Sequence, residues 1–208
     1  NDKAFDDVEA VVAPEEKGTS TPKEAPPVKE MPKEKKPVAP AGTVRFSSPA
    51  EYGQRGPLRW TSPEGWQGTK PASSMRLAEY TVAGADGKEP ASMSVFYFGR
   101  GQGGDVEMNI DRWLGQFSTE DGGSAKGSAK RDKKTIDSMT VHLVDVSGTY
   151  NPGMAGGNRP PKPNQRMMGA IVETDAGRFF FKLVGPKDGV SAQESNFNAF
   201  VDSFKKGS

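Results

Sequence analysis

Gly99-x-Gly101-x-x-Gly104 has the spacing of a dinucleotide fingerprint, whose glycines let the backbone approach a pyrophosphate at a helix N-terminus. The residues around it argue against that chemistry. The segment before it, Ala91 to Phe98, alternates at Ser92, Met93, Ser94 and Val95, unlike a parallel strand buried on both faces. Asp105 puts a negative charge where the pyrophosphate would sit, and no second strand ending in an acid follows about 20 residues on. The motif therefore reads as a strand-to-helix loop, and no cofactor is expected.

His142 is the sole histidine. In a strand, positions 142 and 145 point to opposite faces, so Asp145 does not orient this imidazole. No Gly-x-Ser-x-Gly supplies a nucleophile. With no cysteine and one histidine, neither a thiolate nor a multi-histidine metal site can be assembled. Asp105, Glu107 and Asp111 share a helix, but Asp111 points away from Asp105, and no Asp-x-Asp-x-Asp-Gly loop offers a calcium cage. No catalytic residue and no metal ligand is assigned, and the chain reads as a non-enzyme.

Residues suited to binding are more numerous. Trp60 and Trp66 bracket the turn Ser62-Pro63-Glu64-Gly65. An exposed indole pair there would take a sugar or a peptide, and a folded-in pair would form a corner of the core. Residues 148–165 (GTYNPGMAGGNRPPKPNQ) read as one Gly/Pro loop carrying Tyr150, Met154 and Arg159. Its length exceeds the ~12–15 residues usual for a structureless connection, which makes it the leading interaction candidate. Lys126, Lys130, Arg131, Lys133 and Lys134 form a basic run broken by Asp132, with no aromatics interleaved. A solvated strand edge accounts for it, and nucleic-acid binding is not expected.

The elements that would position these residues follow from periodicity. Strands are expected at 75–82, 91–98, 133–136, 139–146, 166–173 and 178–184, the last two joined by the hairpin signal Asp175-Ala176-Gly177. A helix is expected over 105–117, with Val106, Ile110, Trp113, Leu114 and Phe117 on one apolar stripe and Asp105 as its cap. A final helix is expected after Ser191, with Glu194 completing a capping box and Phe197, Phe200, Val201 and Phe204 facing inward. Helices separated by runs of antiparallel strands define an α+β class: one twisted antiparallel sheet of six to seven strands carrying two amphipathic helices.

Composition divides the chain. Residues 1–42 hold 7 of the 17 prolines, nine acids, seven lysines and one aromatic, Phe5. Such a stretch cannot bury enough apolar surface to offset its ordering entropy, so it is expected as a disordered leader or docking arm before a single domain at 43–208. Phe5, Val8 and Val12 lie at near-helical spacing in its acidic half and are the candidate docking residues; 17–42 is the spacer. No apolar run approaches the ~20 residues a membrane-spanning helix needs. A Pro/Lys/Glu leader fits an extended tether, so export to the periplasm or cell envelope is the expectation, compatible with an upstream lipid anchor.

The Trp60-Thr-Ser-Pro-Glu-Gly-Trp66 opening and the closing Phe200-Val201-Asp202-Ser203-Phe204 resemble the Mog1/PsbP-like fold group over about residues 57–206. In that group a Pro-x-Gly-Trp entry and a terminal helix ending Ser-Phe recur. The resemblance implies a non-enzymatic accessory or binding module of the exported kind and carries over no site residue. The functional expectation is thus a peripheral subunit of an envelope or membrane-associated assembly with a protein partner. The alternative is a small-ligand or glycan module using the Trp60/Trp66 corner or residues 148–165.

Overall fold

A computed structural model describes residues 57–84, 87–153 and 159–207. The chain runs β1 (Leu58–Arg59), β2 (Trp66–Thr69), β3 (Arg76–Val82), β4 (Ala91–Tyr97), α1 (Val106–Leu114), β5 (Phe117–Ser118), β6 (Lys130–Ile136), β7 (Met139–Tyr150), β8 (Lys162–Thr174), β9 (Gly177–Pro186), α2 (Lys187–Ala192), α3 (Glu194–Asp202) and β10 (Lys205–Lys206). Eight strands make one sheet in the order β2-β3-β4-β9-β8-β7, with β5 and β6 both pairing β7. Every pairing in it is antiparallel. β1 and β10 form a separate two-stranded ribbon. The α+β class and antiparallel sheet expected from the sequence are present. The strand count is higher because pairings as short as β5 leave no periodicity to read.

The pleat sorts side chains onto two faces, and helices cover both. On the first face Tyr80, Met93, Val95, Ala170, Val172, Phe179 and Phe181 pack beneath Phe197, Phe200 and Val201 of α3. On the second face Val144, Val146, Met167, Ile171 and Phe180 pack beneath Val106, Ile110, Trp113 and Leu114 of α1. The central strands β8 and β9 are covered on both sides, which is why 167–172 and 179–184 are nearly continuous apolar runs. Gly169 is required for the second layer: a Cβ there would meet Trp113 Cζ3 at 2.7 Å. Trp113 lies on the bare backbone of β8 and meets the Phe180 ring edge-on at 6.4 Å.

The structure corrects three expectations. α1 stops at Leu114, capped by Gly115, and Phe117 belongs to β5, although it still packs with the helix's apolar side. Ser191 does not cap the last helix. The helical segment begins at Lys187, straight after Pro186, and breaks at Gln193; Ser191 Oγ instead donates back to the Lys187 carbonyl at 2.7 Å. Residues 148–165 are not one loop. β7 continues to Tyr150 and β8 starts at Lys162, with Gly148 paired to Gln165 and Tyr150 to Lys162 across a bulge. Gly148 marks a close approach rather than a turn, since a Cβ there would lie 2.3 Å from the Ser118 carbonyl oxygen of β5. Only 151–161 remain as connection.

Candidate functional site

The second face beyond the reach of α1 carries an unusual group. Lys182 of β9 sits between Ser94 of β4 and Gly169 of β8 and is only 9% exposed. Its neighbours along the same side of β9 are Phe180 and Val184. Lys182 Nζ donates to Gln116 Oε1 in a short hydrogen bond and to Tyr150 Oη at 3.4 Å, and lies 5.0 Å from the centre of the Tyr150 ring. Both partners are uncharged, and no carboxylate pairs with this lysine among the described residues. Burial pushes its pKa down to about 7, and the charges of Arg112 and Arg76 push the same way.

The two arginines come from separate elements. Arg112 is exposed on α1 and donates to Asn109 Oδ1 at 2.7 Å. The Asn109 amide is itself fixed by the carbonyls of Gly103 and Asp105. Arg76, opposite Phe96 at a β3 bulge, pairs with Glu79. Tyr150 is half-buried; burial raises its phenol pKa, while Arg76 and Arg159 act to lower it. Three arginines therefore act on one phenol–amine pair, and one of them, Arg76, has a carboxylate counter-ion there.

Several other cations among the described residues have carboxylate partners. Lys130, Arg131, Lys133 and Lys134 of the basic run lie along β6 at a sheet edge, and Lys126 lies in the turn before it. Arg131 binds Glu107 and Asp111 of α1, Lys126 binds Asp111, and Lys134 binds Asp202. Arg166 holds Asp145 through two bonds of 2.9 and 2.7 Å and also reaches Glu194 and Ser191. Its pKa is raised, chiefly by the bond to Asp145. A polar depression of about 500 Å³ opens beside it, but its guanidinium is spent tying α2 and α3 to the sheet. His142 Nε2 lies 2.8 Å from Glu173 Oε1, and that bond, ahead of the charges of His142 and Arg178, holds the Glu173 carboxyl below its usual range.

The residues singled out from the sequence separate. Trp60 and Trp66 are interior, at 5% and 7% exposure. Trp60 Nε1 donates to Tyr80 Oη at 2.8 Å and Trp66 Nε1 to Gln193 Oε1 at 3.0 Å, while both rings pack on Phe200. The corner is therefore folded in and offers no stacking platform to a sugar or peptide. Tyr150 joins the Lys182 group, and Arg159 is exposed and acts on it through charge. Phe5, Val8, Val12 and Met154 lie outside the described residues. Lys182, Gln116 and Arg112 escaped the sequence reading. The one signal was a lysine inside the apolar run Phe179-Phe-Phe-Lys-Leu-Val184.

Fold and site together describe an antiparallel sheet sandwiched between helices, with a recessed basic group on one face. No family model matches the chain, and neither does any curated protein. Among solved structures it is similar to LpqN of Mycobacterium tuberculosis, described as involved in cell envelope biogenesis, at 10% identity and a TM-score of 0.43, covering 73% of this chain and 83% of that one. It is also similar to the cyanobacterial PsbP, CyanoP, of Synechocystis sp. PCC 6803, at 13% identity and a TM-score of 0.43, covering 80% of this chain and 99% of that one. Both are likenesses of fold.

Proposed function

We propose that this chain is a non-enzymatic accessory protein of an extracytoplasmic assembly, and that it meets an acidic surface of a protein partner through the second sheet face. The observation that supports this reading is the unmatched charge around Lys182 and Arg112, on a face where Arg131 and Arg178 have carboxylate partners. Cations without counter-ions at a recess attract and orient an anionic partner more than they stabilise the fold. The leader supplies the second contact. On this reading Phe5, Val8 and Val12 would engage the assembly, with 17–42 as the spacer.

The test is retention in the native membrane fraction of cells carrying the full chain. Arg112→Glu reverses an exposed charge on α1, so the fold should survive and retention should fall. Deleting residues 1–42 should leave the melting midpoint of the domain almost unchanged and abolish retention. Full retention of Arg112→Glu would overturn the docking face, and full retention of the truncated chain would reduce the leader to a passive tether.

A further inference from the structure

The unmatched charge has a more specific consequence. We infer that Lys182, Arg112 and Tyr150 form a binding site for a single oxyanion group, a carboxylate or a phosphate. This deepens the docking reading by naming the chemical group recognised, and it can stand without that reading.

A buried ammonium is costly unless paired with an opposite charge. Position 182 does not require a lysine for packing: on the same side of the strand Phe180 precedes it and Val184 follows it, and Trp113 covers the adjacent Gly169. The amine finds two neutral oxygens and, at longer range, two further positive charges. Burial and the two arginines disfavour an ammonium in the empty protein, the two neutral acceptors offset this only in part, and an anion would supply the missing opposite charge. A bound oxyanion would give Lys182 its counter-ion and let it keep its proton.

Arg112 supplies the recognition geometry. Its exposed guanidinium is engaged by one amide oxygen among the described residues, which leaves donors of the planar fork free to meet a carboxylate or phosphate edge. The amide oxygen that accepts from it is itself anchored, because Asn109 donates to two backbone carbonyls. Tyr150 contributes a hydroxyl whose proton burial helps to retain. Arg76 is committed to Glu79 and adds field rather than contact.

Inorganic phosphate and acetate, each titrated into the ¹⁵N-labelled full chain near neutral pH with chloride holding the ionic strength constant, provide the test. The side-chain amide resonances of Gln116 report on Lys182 directly. A saturable shift is expected, with uptake of protons from a weakly buffered solution. Arg112→Gln, an exposed substitution that leaves the core intact, should weaken the apparent Kd about tenfold or more. Lys182→Met should remove both the shift and the proton uptake, and Lys133→Met on the β6 edge should change neither. Saturation by either anion supports the site, and the tighter one names the group. No saturable shift with either, or a Kd unmoved by Arg112→Gln, overturns it. Anion binding that persists while Arg112→Glu keeps full membrane retention would leave this site standing and remove the docking reading alone.

Discussion

Lys182→Met should change how the stability of the domain depends on pH. The lysine is nine-tenths buried and its pKa falls from 10.5 in the unfolded chain to about 7 in the fold, first through burial and then through Arg112 and Arg76. The charged and titratable groups facing it are those arginines, Glu79 beside Arg76, Tyr150, and Arg159 acting on Tyr150. Between these two values the unfolded chain binds one proton more than the folded one, so stability must rise with pH and the low-pH side is the weaker. At about 1.4 kcal/mol per pH unit, with both titrations incomplete at the ends, the rise from about pH 7 to about pH 9.5 amounts to about 3 kcal/mol. The scan stops there because Tyr80, Tyr97 and Tyr150 keep their protons in the fold above the range where the unfolded chain loses them. Those phenols therefore subtract stability at higher pH. Urea unfolding of the full chain at half-unit pH steps, without phosphate or carboxylate buffers, measures the slope. Wild type should gain stability across the window, and Lys182→Met, similar in length and uncharged, should be nearly flat and at least as stable near pH 7. A wild-type profile without slope, or a slope that Lys182→Met retains, would refute the argument that this amine is desolvated and unpaired.

Trp113→Ala should lose ~3–5 kcal/mol in denaturant unfolding, as a large-to-small change in a layer that closes directly on the β8 backbone; an unchanged midpoint would mean that α1 does not seal the second face. Glu173→Gln should flatten the acid limb of the stability profile. The carboxyl is held below its usual range chiefly by His142, so its contribution is complete above the unfolded carboxyl pKa of 4.5 and is lost as pH falls through the depressed folded value. The same acid limb in wild type and variant would show that the His142–Glu173 bond contributes nothing to stability.

The antiparallel class and most element positions were legible from period-2 and period-3.6 patterns. Ala78, Tyr80 and Val82 point inward on β3, and Val106, Ile110, Trp113 and Leu114 form the buried stripe of α1, because a strand's alternation and a helix's stripe are local consequences of burying one side. Composition also misled. Glycines and prolines at 148–165 read as loop, yet Gly148 serves a backbone crossing and Pro163 lies within β8 near its start, where a missing N–H is tolerated. The capping box at Ser191 matched its pattern, but Pro186 had already fixed the chain for a helix start, and Arg166 claimed both Ser191 and Glu194.

The sequence by itself determined which residues face a core and that the fold would be α+β, since periodicity is a property of neighbours in the chain. It also limited the chemistry, because with no cysteine and one histidine no cysteine-based or multi-histidine centre can be composed. What only the tertiary structure decided is the site. Arg76, Arg112, Tyr150 and Lys182 span more than a hundred residues and lie on β3, α1, β7 and β9, and no local pattern relates them. They converge because the sheet order places β9 between β4 and β8, because α1 stops at Leu114 and the chain beyond it brings Gln116 onto the amine, and because Gly169 lets Trp113 settle beside it. Tertiary structure likewise took the two indoles that flank an open-looking turn into the interior. A tryptophan's burial depends on what the rest of the chain packs against it, here Phe181 and Phe200 from more than a hundred residues away.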